Sequence, residues 1–228
     1  MRIASKATSK TVLSLATAGL LAGSLAACSS SGSSTASTSP SAGGASASPS
    51  PVAALTNLKG VSTSVKLDPG FVQALTTLKL TPGVVGKATL AGGAIGFPIT
   101  GGNVTYYSPN SGVTPYVQST INHEGSGLSL SAGGTKVELT NFVVDAGTSK
   151  LMGDVSANGK SVLKGAYLFF LDGRTLQPLK SNSDGTATLA GTEVKVSPDA
   201  AALLDKTFKT TAVTPYLLVG TATITVKG

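Results

Sequence analysis

The sequence predicts a mainly β fold: an antiparallel sandwich or barrel-like domain carrying two short helices. Three observations lead there. β-branched and aromatic residues gather in short runs at residues 104–107, 116–123, 136–145, 163–171 and 217–226. Clusters of Gly, Asn, Asp and Pro bound those runs, among them Ser108-Pro109-Asn110-Ser111-Gly112, Ala132-Gly133-Gly134, Leu171-Asp172-Gly173 and Ser183-Asp184-Gly185. Two further segments show apolar residues at helical rather than alternating spacing.

The N-terminal part obeys different rules. Arg2, Lys6 and Lys10 precede an apolar run of 17 small and aliphatic residues, 11–27. Charge, a short greasy core and small residues before a cut site make a secretory signal. The run lies at the lower edge of what spans a bilayer, and a serine tract follows it in place of a basic cluster. The four residues Leu25-Ala26-Ala27-Cys28 resemble the lipobox of bacterial lipoproteins at every position. That resemblance implies cleavage before Cys28, acylation of its thiol, and a protein held on the outer face of the cell membrane. One myristoyl-length chain anchors only marginally, so two or three chains on Cys28 would be needed for a firm hold. Cys28 is the single cysteine of the chain, which leaves no thiol for a disulfide.

Residues 29–51 are all Ser, Thr, Gly, Ala or Pro. Such a segment cannot bury enough apolar surface to offset its ordering entropy, so it is expected to be a disordered tether. As a flexible coil it would span about 25–30 Å. The expected organisation is therefore a signal peptide over residues 1–27, lipidated Cys28 with a linker over 28–52, and one extracytoplasmic β domain over 53–228.

The formal charge of +7 overstates the mature chain. Removing Arg2, Lys6 and Lys10 leaves 14 basic against 10 acidic residues, a net of +4, with no basic run. Nucleic-acid binding requires a clustered, phosphate-facing stripe, and the sequence has none.

Within the domain, Asn158-Gly159 reads as a two-residue hairpin turn, since both residues tolerate positive φ. The two helical segments read as copies. Val65-Lys66-Leu67-Asp68-Pro69 matches Val194-Lys195-Val196-Ser197-Pro198, Thr81-Pro82 matches Thr214-Pro215, and Val85-Gly86 matches Val219-Gly220. Asp68 and Ser197 are N-cap residues followed by Pro at the first helical position, where a missing N–H costs nothing. Phe71, Val72, Leu75 and Leu78 form the first apolar stripe, and Ala200, Leu203, Leu204 and Phe208 the second. Each copy is expected to superpose as strand, cap, helix and strand.

Chemistry-bearing residues are few. The one histidine, His123, ends the predicted strand 116–123 on its more apolar face, with Val117, Ser119 and Ile121. This placement predicts a partly buried imidazole at the rim, bonded to a neighbour. Glu124 points the other way and no second His follows, so the pair is not a zinc motif. Gly125-Ser126-Gly127 reads as a turn after the strand, and no Gly-x-Ser-x-Gly elbow or phosphate-cradling loop occurs. Asn182-Ser183-Asp184-Gly185 lacks the later ligands of a calcium loop and reads as a turn. Tyr106 and Tyr107 are adjacent on a strand, so one faces in and one out.

The stretches Phe97-Pro98-Ile99-Thr100-Gly101-Gly102, Ile121-Asn122-His123-Glu124-Gly125-Ser126-Gly127-Leu128 and Val137-Glu138-Leu139-Thr140-Asn141-Phe142-Val143-Val144-Asp145 resemble the HtaA-type domain of cell-surface haem-acquisition proteins. The likeness spans residues 93–170. It implies an antiparallel β-sandwich with small helices and a haem site built from a tyrosine and a nearby histidine. His123 would be the pocket histidine, and Tyr106 or Tyr107 the iron ligand. If the face of Val104 is the inner one, Tyr106 rather than Tyr107 would meet His123. The family's tryptophan-bearing opening segment has no counterpart here, as the chain contains no Trp.

No catalytic constellation emerges, so the expected role is non-catalytic. The chain is read as a membrane-anchored lipoprotein whose β domain binds a small ligand or a cell-wall component. Haem capture is one alternative. An envelope hydrolase or isomerase is the other, and a cleft holding carboxylates of displaced pKa would favour it.

Overall fold

In the computed structural model, residues 48–227 can be described. The signal peptide, Cys28 and most of the linker lie outside them. The described chain is mainly β and antiparallel, with two short helices, as the sequence predicts. Strands β1 (Ala53–Leu55) and β2 (Ser62–Leu67) lead into helix α1 (Pro69–Thr77). Four strands follow: β3 (Thr81–Gly86), β4 (Thr89–Ala91), β5 (Ala94–Pro98) and β6 (Gly101–Tyr106). Then comes a meander of long strands, β7 (Val117–Ala132), β8 (Thr135–Asp145), β9 (Lys150–Ala157) and β10 (Lys160–Asp172). After a short 3-10 turn at Gly173–Thr175, β11 (Lys180–Ser181) and β12 (Ala187–Val196) precede helix α2 (Pro198–Phe208) and β13 (Leu218–Val226).

These strands form one curled sheet in the order β1-β6-β7-β8-β9-β10-β12-β13-β2-β5-β4, with β3 added to β7 and β11 to β12. Side-chain alternation explains the curl's interior. Along β8, Val137, Leu139, Phe142 and Val144 are buried while Lys136, Glu138 and Asn141 are not. The step from Leu139 to Phe142 breaks strict alternation at Asn141, whose φ is +54°.

That break aligns with the main departure from the sequence reading. Gly125-Ser126-Gly127 is not a turn; β7 runs through it to Ala132. Gly125 takes φ +70° and its N–H donates to Asn141 Oδ1 at 3.0 Å. Ser126 Oγ donates to the His123 carbonyl at 3.0 Å. The pairing with β8 jumps from His123–Phe142 to Gly127–Thr140, so the extra residues are looped out as a bulge that bends the sheet. Before the bend β7 pairs with β6, and after it with β3. The Asn158-Gly159 turn is as expected, with φ of +50° and +76° between β9 and β10.

The two copies hold in part. Asp68 Oδ1 accepts from the N–H groups of Gly70 (2.8 Å) and Phe71 (3.2 Å), and Ser197 Oγ accepts from Ala200 N–H (3.0 Å). Phe71 and Leu204 both fall in helices. The return strands diverge: Thr81 opens β3, which crosses to β7, whereas Thr214-Pro215 precede β13, which lies between β12 and β2. Different partners at the sheet, not the local sequence, choose where each copy goes next.

Ser197 also donates to the Tyr167 carbonyl at 2.7 Å and is fully buried, while Asp68 is half-buried. Ser197→Ala is therefore expected to cost about 2 kcal/mol and Asp68→Ala about 0.5–1 kcal/mol, measured by urea unfolding. Equal costs would show that the second bond of Ser197 contributes nothing.

Candidate ligand cavity

Helices α1 and α2 follow β2 and β12 at the same end of the curl. There Phe71, Leu75, Leu78 and Leu204 line a small void of about 60 Å³, against Leu67 and Leu128. The interior of the sheet is not filled in the same way. It holds a cavity of about 430 Å³, walled by Val65, Ile95, Ile121, Phe142, Val194 and Ile224 among others. On β13 the lining runs from Val219 to Ile224, about 17 Å at the usual strand rise, so the space is a slot rather than a sphere. Apolar side chains supply nearly all of the wall because β2, β5, β7 and β8 turn their buried alternate positions inward.

His123 sits within this wall, 2% exposed, mid-strand rather than at the rim where the sequence placed it. The continuation of β7 past the bulge is the reason. Its Nε2 is 2.8 Å from Thr63 Oγ1 on β2, across the curl. Phe97 lies edge-on to the imidazole at 6.2 Å between centroids, and Phe142 packs edge-on to Phe97 at 5.4 Å. Burial pushes the His123 pKa down to about 4, against a weaker upward pull from the Phe142 backbone, so the ring is neutral near pH 7. Its Nδ1 is buried and makes no hydrogen bond of normal geometry, the Phe142 backbone acting on the ring only weakly. An unpaired ring nitrogen in an apolar wall is costly unless something else uses it.

The tyrosines fall elsewhere. Tyr106 does face inward, at 6% exposure, but it lies opposite Val117, six residues from His123 along β7. That is about 20 Å of strand, so the two side chains do not meet. The antiparallel register decides this: Asn122 is opposite Gly101, not Tyr106. Tyr107 is half-buried beyond the end of β6, its N–H donating to the Tyr116 carbonyl at 2.7 Å. Among the tyrosines of the described residues it is Tyr116, which the sequence reading did not single out, that lines the cavity. Its ring meets Tyr106 edge-on at 5.8 Å, and burial, then Tyr106, raises its pKa, so the phenol stays protonated.

Tyr116 belongs to the end of the slot away from the helices, with Thr114, Ser149 and Arg174. The Arg174 side chain is 84% exposed, which marks this end as the mouth. Val52 enters the sheet here too, its N–H donating to the Tyr106 carbonyl at 2.8 Å. Asp172 anchors the mouth. Its side chain is 3% exposed; Arg174 Nε and Nη2 donate to its two oxygens at 2.9 and 2.6 Å, and Lys195 Nζ donates at 2.8 Å. Arg174, then Lys195, holds the Asp172 carboxyl well below the usual carboxylate range. Lys195 also pairs with Glu193 at 2.8 Å. Thr63, Asp172 and Arg174 carried no signal in the sequence, since their partners lie on other strands or depend on the turn after β10.

Among the described residues no three His, Cys, Asp or Glu side chains converge to hold a metal ion. No protein-family model and no curated protein matches the chain. Among solved structures, the chain is similar to the C-terminal domain of HtaA from Corynebacterium glutamicum, with a TM-score of 0.49 and 14% identity over 76% of this chain and 97% of that one. It is also similar to the heme-binding protein HtaB from Corynebacterium glutamicum, with a TM-score of 0.47 and 9% identity over 77% of this chain and 96% of that one.

Proposed function

We propose that the chain is a lipid-anchored extracytoplasmic binding protein whose β domain holds a small, largely apolar ligand in the slot around His123. The cavity carries this reading. An interior space of about 430 Å³, walled by hydrocarbon and open at one end, lowers packing density where a purely structural core would close up. The lipobox residues Leu25 to Cys28 support the anchor, and residues 29–51 the tether. Membrane attachment has its own test: the mature N-terminus should be acylated Cys28 by mass spectrometry, and Cys28→Ser should abolish membrane fractionation. An unacylated wild-type terminus would end the lipoprotein reading.

Catalysis is disfavoured on chemical grounds. The displaced carboxylate at the cavity, Asp172, is held ionised by two cations, and a group so committed is a poor acid or base near neutrality.

Haem is the ligand that one observation favours over other apolar molecules. With Nε2–H donating to Thr63 Oγ1, the neutral imidazole keeps a lone pair on its buried Nδ1, and a lone pair in an apolar wall can coordinate iron. The tyrosine–histidine pair that the sequence resemblance implies is not assembled from Tyr106 or Tyr107, so His123 would supply the donor atom. Iron bound there would bring redox and ligand-exchange chemistry; the chain's own part is to hold the ring dry and present His123. Titrating the purified mature protein with haemin should produce a Soret band that is lost in His123→Ala and kept in Tyr106→Phe. A band unaffected by His123→Ala would move the iron site away from this residue.

A further inference from the structure

The cavity has a polarity along its length. Its inner reach is hydrocarbon apart from the paired His123 and Thr63, while its outer end carries the hydroxyls of Thr114, Tyr116 and Ser149 and one cation, Arg174. The lining holds no Lys, and its one acid, Asp172, is occupied by Arg174 and Lys195. Asp172 takes up Nε and one Nη2 hydrogen of Arg174, which leaves the Nη1 side of a guanidinium that is 84% exposed. A planar guanidinium whose remaining donors are uncommitted suits an oxyanion. The bidentate grip of Asp172 fixes where that fork stands, and the Arg174 N–H donating to Asp172 Oδ1 at 3.2 Å fixes the backbone beneath it.

We infer that Arg174 is a specificity-determining residue, and that the cavity takes an amphiphile bearing a carboxylate, apolar body inward and carboxylate held at Arg174. This rests on the cavity being a ligand site. Burial favours the apolar body inward, and an inverted ligand would strand its charge among Val65, Ile95 and Phe142. Two sources share the chemistry, the propionates of haem and the head group of a fatty acid. The entry of Val52 beside the same end means that a tethered domain would present its mouth on the side from which the tether arises.

The test uses the mature chain from residue 28, carrying Cys28→Ser in every arm so that no acyl chain of its own can enter the slot. Palmitate is compared with hexadecanol by displacement of a fluorescent fatty acid, and haemin with its dimethyl ester by absorbance. For whichever pair binds, the acid should bind at least about tenfold tighter than its neutral partner, the effect of one charge-assisted bond. Arg174→Gln should bring that ratio to threefold or less, and Arg174→Lys should restore most of it; circular dichroism confirms that each variant is folded. Binding by the palmitate pair alone identifies a fatty acid as the source, and binding by the haemin pair alone identifies haem. A wild type without acid preference, or Arg174→Gln keeping the full ratio, would overturn the role of Arg174 while leaving the cavity a ligand site. A wild type that binds none of the four would overturn the cavity reading itself.

Discussion

Gly220→Ala is expected to cost about 3 kcal/mol or more, although it adds a single methyl group. Gly220 lies in β13 where that strand is hydrogen-bonded on both sides, to β12 and to β2, opposite Val194 and Leu67. A Cβ there would stand against the Lys66 carbonyl oxygen, well inside van der Waals contact, with the Lys66 carbonyl carbon at 2.9 Å. The obstacle is backbone in the neighbouring strand, so no rotamer change relieves it, and β2 would have to move away from β13. Urea unfolding of the variant should show the loss with little change in the slope, since the surface exposed on unfolding is nearly the same. A cost below 0.5 kcal/mol would mean that the two strands separate easily. Gly86, its counterpart in the first copy, meets the Gly125 carbonyl in the same way and also takes φ +62°.

Lowering the pH from 7 to 4.5 should remove most of about 3 kcal/mol of stability through His123 alone. The folded-state pKa is about 4 against an ordinary value of 6.5, and burial is the main cause. Between those values the unfolded chain binds a proton that the folded chain refuses. Stability is therefore complete above pH 6.5 and falls by about 1.4 kcal/mol per unit as the pH drops toward 4. His123→Asn removes the titration while keeping a polar group near Thr63. Its stability should be lower than wild type at pH 7 and nearly flat from pH 7 to 4.5. Parallel curves for the two proteins would show that His123 is not held neutral by the fold. Asp172 acts in the same direction at lower pH: its contribution is present above the usual carboxylate range and is lost as the pH falls through its depressed value.

Much of the architecture is local and was readable. The alternation in residues 136–145, the Asn158-Gly159 turn, and the caps Asp68-Pro69 and Ser197-Pro198 each depend on residues a few positions apart, and each forms as the sequence implies. The inward face of residues 117–123 was also correct, because side-chain direction in a strand follows from parity. Gly125-Ser126-Gly127 was misread for a physical reason. Glycine at positive φ serves a turn and a bulge equally, and only pairing with Asn141 across β8 decides between them.

The sequence by itself located the cores of five strands, at 104–107, 116–123, 136–145, 163–171 and 217–226, together with both helices, and placed the single histidine on the apolar side of its strand. The tertiary structure decided everything that depends on register and closure. It set His123 against Thr63 and Phe97 rather than Tyr106, left a slot instead of a filled core, and gathered Tyr116 and Arg174 at one end of it. Hydrophobic periodicity specifies a face to be buried but not which distant strand will cover it. That choice is made by strand pairing summed over the whole sheet, where one shift of register moves every facing partner along its strand.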